Sequence, residues 1–173
     1  MHKTAERLSR VVDRAQPALT QIQDAESARP LATGKWSARQ VLGHLVDSAS
    51  NNHARFVIAQ GRADLSFSGY EQEDWVERQH YQTTPWADLV ELWTALNRHL
   101  VRVMAVVDDE ERLRERVPHT LDTMAWRPVA ADHPATLEYL MVDYIDHLEH
   151  HLRQILGDGW TGRGPAASTQ AGD

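Results

Sequence analysis

The residues of this chain best equipped for chemistry are its ten histidines, because its 173 residues include no cysteine. That absence removes disulfides, thiolate metal ligands and a cysteine nucleophile together, so any thiol chemistry must use a thiol brought in as a substrate. His147 and His151 are four residues apart and share one face of any helix that carries them. The spacing alone is a weak motif, since ten histidines produce it readily by chance. Position adds to it. On a helical wheel both residues fall at the edge of an apolar arc beside Leu140 and Tyr144, whereas His150 turns toward the polar side with Asp146. His44 borders the apolar face of a different helical segment. Imidazoles at a buried seam need partners. Three of them, supplied by two helices of a bundle, can hold a divalent ion facially and leave positions open for water or substrate. The competing reading is three histidines hydrogen-bonded to nearby carboxylates, and spacing leaves both open.

Other residues are secondary candidates. Asn51 and Arg55 follow His44 on nearly the same helical line, where they either hold an anionic or thiol substrate or are ordinary polar surface. Tyr70 and Trp75 bracket an acidic stretch in a long connection and are candidates for the pocket wall. Asp143 lies four residues before His147; it could orient that imidazole, but a solvated position is favoured. Trp86 and Trp93 sit on an apolar stripe and read as core. His53, His80, His99, His119 and His133 have no identifiable partner and read as surface or structural.

The elements that must position these residues are four helical segments. Leu8, Val11, Val12, Ala15, Leu19 and Ile22 mark an apolar stripe from Lys3 to Ala25, with a kink or break expected at Pro17. A second helix is expected to start at Ser37, whose hydroxyl forms a capping box with Gln40; Val41, Leu42, Leu45, Val46, Ala49 and Phe56 make its apolar arc. Residues 61–83 form the longest connection, and a connection of this length usually has a function. Thr84-Pro85 opens the third helix, where Trp86, Leu89, Trp93, Leu96, Leu100, Val103 and Val107 alternate in three- and four-residue steps. Residues 108–132 form another connection, in which Pro118 and Pro128 oppose a continuous helix and a short extended pair can form. The last helix runs from near Pro134 to a glycine cap at Gly157. The expected fold is all-α, an up-down four-helix bundle with long inter-helix connections: one domain over residues 1–156 and a flexible tail over 157–173.

Composition narrows the function. Eighteen Lys and Arg against 25 Asp and Glu give a net charge of −7, which argues against a nucleic-acid partner. There is no apolar run of membrane-spanning length and no signal-peptide pattern at Met1 to Arg7, so a cytoplasmic location is expected.

The stretch Trp36-Ser37-Ala38-Arg39-Gln40-Val41-Leu42-Gly43-His44-Leu45-Val46-Asp47-Ser48 resembles the signature of the DinB/YfiT-like superfamily. Thr136 to Leu140, followed by His147 to Ile155, resembles that family's closing helix. Asn51, Arg55, Phe56 and Tyr70-Glu71-Gln72-Glu73-Asp74-Trp75 bring it nearest to the YfiT branch, which is bacillithiol S-transferase-like and includes metal-dependent hydrolases. The chain departs from that branch in a longer stretch around Val117 to His133. The resemblance implies a four-helix bundle, His44, His147 and His151 as metal ligands, and a homodimer. It implies no DNA binding. Three neutral nitrogens suit one divalent ion, zinc or nickel best. The leading function is transfer of a small-molecule thiol to an electrophile; metal-dependent hydrolysis and a non-catalytic metal or small-ligand binding bundle are the alternatives.

Overall fold

The computed structural model describes residues 1–162. Four long helices carry the architecture: α1 (Lys3–Thr20), α3 (Ala38–Ala59), α5 (Trp86–Ala105) and α8 (Leu137–Leu156). Short helices α2 (Asp24–Ser27), α4 (Gln72–Arg78), α6 (Asp109–Leu113) and α7 (Leu121–Met124) occupy the connections, with a 3-10 turn at Tyr81–Thr83. The apolar stripes explain the long helices. Leu8, Val11, Val12, Ala15 and Leu19 of α1 meet Leu42, Leu45, Phe56, Trp93, Leu100, Met104, Leu148 and Leu152 in one core, each at most 1% exposed. The first helix is shorter than its sequence pattern suggests. It passes through Pro17 and stops at Thr20, and the chain restarts as α2.

Helix starts follow the local chemistry. Ser37 accepts from the Gln40 backbone N–H while Gln40 Oε1 accepts from the Ser37 N–H, the reciprocal capping box. The last helix begins at Leu137 rather than Pro134, because the Thr136 hydroxyl accepts from the Tyr139 N–H and defines the first turn there. Gly157, at φ 88°, ends it in a conformation that favours glycine. Beyond it Trp160 packs against the core; the remainder of the expected tail, 163–173, lies outside the described residues.

Contacts at the helix ends give the directions. Trp86 Nε1, at the start of α5, donates to the Leu19 carbonyl at the end of α1, so these two run antiparallel. Thr4 bonds Glu138, and Arg7 pairs with Asp146 and Glu149, so α1 and α8 run parallel. Ser37, just ahead of α3, bonds Gln82, just ahead of α5. These two are therefore parallel as well. The four-helix bundle is the expected one, but strict up-down alternation gives way at this pair: α1 and α8 point one way, α3 and α5 the other. Residues 60–85 must consequently return along the whole bundle, which accounts for the length of that connection.

The two long connections are tied to each other. The Leu65 N–H donates to the Pro118 carbonyl and Thr120 donates back to Leu65, while Arg116 and Ala135 exchange a second pair of backbone bonds. The extended pair considered for 108–132 is thus made with partners outside that segment. Among the described residues no helix is long and apolar enough to cross a membrane.

Candidate metal centre

His44 projects from the second turn of α3, and His147 and His151 project from the facing side of antiparallel α8. His44 is 2% exposed, and its Nε2 lies 3.2 Å from His147 Nε2. One ligand-capable nitrogen from each of the three rings lies within 4.8 Å of the others. Two nitrogens bound to one ion at about 2.1 Å, at angles between octahedral and tetrahedral, stand about 3.0–3.4 Å apart, and the His44–His147 pair already has that separation. Gln154 Oε1 accepts from His151 Nδ1 at 2.9 Å. This bond fixes the tautomer and leaves Nε2 of His151 as the free lone pair.

Electrostatics agree with the geometry. Burial, and secondarily the nearby His151, pushes His44 down to about 4. Burial followed by the neighbouring imidazoles pushes His147 down to about 2. Burial lowers His151 too, against the opposing Gln154 hydrogen bond. All three rings are therefore neutral at pH 7, the form that binds metal. None meets a carboxylate among the described residues, so the carboxylate-bonded alternative has no support. Neutral, converging imidazoles without a counter-anion fit a divalent cation.

A cavity of about 250 Å³ opens beside His44 and His147. On one wall Ser48, Asn52 and Arg55 continue the line of His44 along α3, with Tyr70 facing them; Met124, Trp126 and Leu140 form the other. Of the residues expected to hold substrate, Arg55 and Tyr70 line this cavity and Asn51 and Trp75 do not. Asn51 instead donates from its amide to the Asp47 carbonyl on its own helix. Trp75 is 38% exposed and packs against Tyr70 at a tilt of 48°, ring centroids 4.9 Å apart. It supports the wall from behind.

Two buried carboxylates position the walls. Asp47, 2% exposed, accepts from the Tyr81 hydroxyl at 2.7 Å and the Gln79 amide at 2.6 Å, drawing the end of the 60–85 crossover onto α3. Gly43 permits this: a Cβ there would stand 2.2 Å from the Tyr81 ring. Asp143 is 7% exposed rather than solvated, and it does not touch the imidazoles. Its two oxygens accept from the backbone N–H groups of Trp126 (2.9 Å) and Arg127 (2.8 Å), which sets the Trp126 ring 6.4 Å from that of His147. Sequence reasoning missed Ser48, Asn52 and Trp126. The first two were findable, since steps of 4, 4 and 3 from His44 through Ser48 and Asn52 to Arg55 make one polar stripe. Trp126 carries no such signal.

The expected core tryptophans hold, but several histidines expected to lack partners have them. Trp86 and Trp93 are core residues, 3% and 0% exposed. His119 is structural, bonded to the His133 carbonyl at 2.7 Å and accepting from the Leu121 N–H. His53 and His99 do have partners: each other, Nε2 to Nε2 at 3.2 Å on the surface of α3 and α5.

A family model described as the DinB superfamily matches residues 7–155. YfiT of Bacillus subtilis (strain 168), named as a candidate metal-dependent hydrolase, is 24% identical over 149 residues, 86% of this chain and 78% of its own. A similarly named protein of Bacillus mycoides (strain KBAB4) is 38% identical over 48 residues, spanning 28% of each chain. In structure, Bacillus subtilis YfiT, described as having an unusual four-helix bundle topology, superposes with a TM-score of 0.72 over 88% of this chain and 82% of its own, at 23% identity. A mycothiol-dependent maleylpyruvate isomerase superposes with a TM-score of 0.64 at 12% identity; 89% of this chain is matched, to 61% of that one.

Proposed function

This chain belongs to the DinB superfamily, and from that premise we propose that its metal centre transfers a low-molecular-weight thiol to an electrophilic small molecule. The observation that carries this reading is an open three-imidazole site beside a cavity with no free general base. Asp143 is the carboxylate among the described lining residues, and both its oxygens are engaged by backbone N–H groups. Metal-bound water and thiol can both lose a proton to solvent. Hydrolysis of an ester or amide also calls for a group that carries a proton to the leaving alkoxide or amine, which an electrophile with a good leaving group does not require. One divalent ion, zinc or nickel by its nitrogen donors, supplies a positive charge that favours thiolate over thiol at neutral pH.

In the transfer the thiol sulfur forms a new bond to an electrophilic carbon. The bond from that carbon to its leaving group breaks with the electron pair going to the leaving group, and the thiol proton passes to solvent. His44, His147 and His151 remain neutral throughout. The apolar wall at Met124 and Leu140 excludes water from the electrophile, and confinement of both reactants raises their effective concentration. The mycothiol dependence stated for one structural neighbour supports a thiol co-substrate. The hydrolase names of the YfiT relatives favour metal-dependent hydrolysis as the second reading.

The test is turnover by zinc-loaded protein with a panel of small thiols and a chromogenic electrophile, run beside ester, amide and phosphoester substrates. Thiol-dependent product that disappears in His44→Ala supports transfer. Ester cleavage without thiol supports hydrolysis instead, and inactivity with metal fully bound supports a non-catalytic binding bundle.

A further inference from the structure

Arg55 is the exception among the buried arginines of this molecule. Arg39, Arg112 and Arg116 each pair with a carboxylate: Asp24 at 2.6 Å, Glu138 at 2.7 Å and Glu111 respectively. Arg55 is as deeply placed, 8% exposed, yet it forms no ion pair among the described residues. Its one hydrogen bond among the described residues runs from Nη2 to the Ser68 carbonyl at 2.9 Å. Burying a guanidinium without a counter-anion is costly, and burial pushes its pKa down from the ordinary arginine value. Arg55 also lines the cavity that reaches His44 and His147. Tyr70, lining the same end, is raised by burial to about 12 and stays a neutral hydroxyl, so it does not neutralise the guanidinium.

From this we propose that the substrate handled at the three-histidine centre carries a carboxylate, which Arg55 binds at the far end of the cavity. The inference rests on the reading of that centre as the reactive one. A planar guanidinium fork matches a carboxylate with two parallel hydrogen bonds. A phosphate dianion fits less well, since no lysine or second arginine lines the described cavity to share its charge.

Helix geometry adds a length. Arg55 follows His44 by eleven residues, about 16 Å along the axis; both side chains tilt toward the N-terminus, so only the longer reach of arginine shortens this, leaving on the order of 10–14 Å between the two ends. The carboxylate and the reacting atom are therefore separated by several bonds, and Met124 and Leu140 beside that span suit an uncharged connecting segment.

The experiment uses cobalt-substituted protein, whose absorption reports sulfur at the metal, titrated with 3-mercaptopropionate, 6-mercaptohexanoate, 8-mercaptooctanoate and their methyl esters. Wild type should bind the two longer acids about 10- to 100-fold more tightly than their esters, the range of a charge-assisted hydrogen-bond pair, with little preference for the shortest acid. In Arg55→Gln the preference should fall below about threefold while ester binding is unchanged, which also shows that the variant is folded; Arg55→Lys should keep part of it. Equal affinity for acid and ester in wild type, or a preference that survives in Arg55→Gln, overturns the proposal. The thiol reading fails separately: if no thiol alters the cobalt spectrum but calorimetry detects Arg55-dependent binding of hexanoate, the carboxylate subsite stands without it. Tighter binding of 6-phosphonohexanoate than of hexanoate would overturn the choice of carboxylate.

Discussion

Acidifying the metal-free protein should destabilise it through the same histidines that would bind metal. An unfolded chain protonates its imidazoles near pH 6.5, whereas the fold holds His44 at about 4 and His147 at about 2. Below pH 6.5 the unfolded state therefore binds more protons than the folded one, and stability falls as pH falls, until the folded values are reached. Between pH 7.5 and 5.5 each imidazole kept neutral costs about 1.4 kcal/mol, so the two together cost on the order of 3 kcal/mol. His151, lowered in the same direction, adds to this. Asp47 and Asp143, raised by burial, act with the opposite sign: a carboxyl with a raised folded pKa favours the fold on acidification. The histidine contribution is therefore read as a difference, from urea unfolding at pH 7.5, 6.5 and 5.5 in the presence of chelator. Wild type should lose roughly 3 kcal/mol more over this interval than a His44→Asn, His147→Asn double variant. Equal losses in both proteins would refute the claim that the fold keeps these rings unprotonated.

Three further outcomes are expected. Gly43→Ala should cost about 1–3 kcal/mol by overpacking, because its Cβ would collide with a Tyr81 ring held by Asp47; thermal denaturation checks this, and an unchanged midpoint would show that the ring moves freely. His147→Ala should abolish stoichiometric zinc binding in equilibrium dialysis, whereas His150→Ala should leave it intact, since His150 bonds Gln154 and lies outside the converging set; equal losses would mean that the assignment within the pair is wrong. Asp143→Asn keeps one acceptor for two backbone donors and should cost about 1–3 kcal/mol. Hydrogen exchange at the Trp126 and Arg127 amides should rise with it, and unchanged protection there would show that the segment is held by other contacts.

The parts of this molecule legible in its sequence are those governed by neighbours in the chain. The Ser37–Gln40 box, the stripe from Trp86 to Leu100 and the four-residue step from His147 to His151 each lie within a few helical turns, where periodicity constrains them. His44 was readable because it borders an apolar arc and because the segment around it resembles a known family. What escaped depends on contacts distant in sequence. The parallel course of α3 and α5 follows from where residues 60–85 return, and no local pattern encodes that. Asp143 looked like a surface residue because its partners, the Trp126 and Arg127 amides, come from an irregular segment. Asn51 shows a different limit. A helical wheel places it in line with His44 and Arg55, but an asparagine can satisfy itself on the carbonyl four residues back, and this one does.

The position of the histidines along the chain bears on how the protein matures. His44 and His147 are 103 residues apart, and the second belongs to the fourth long helix of the bundle. A nascent chain that has completed only its first three long helices owns one of the three ligands, so metal capture must follow synthesis of α8. Once captured, an ion would fasten the second long helix to the fourth. In the chain-entropy picture a cross-link spanning about 100 residues restricts the unfolded ensemble by about 4.7 kcal/mol when covalent, and a coordinate link of the same span acts in the same sense. For a chain without cysteine, the ion would be a reversible staple: its loading registers that α8 has docked on α3, and its withdrawal by a chelator returns the bundle to the weaker, acid-sensitive form.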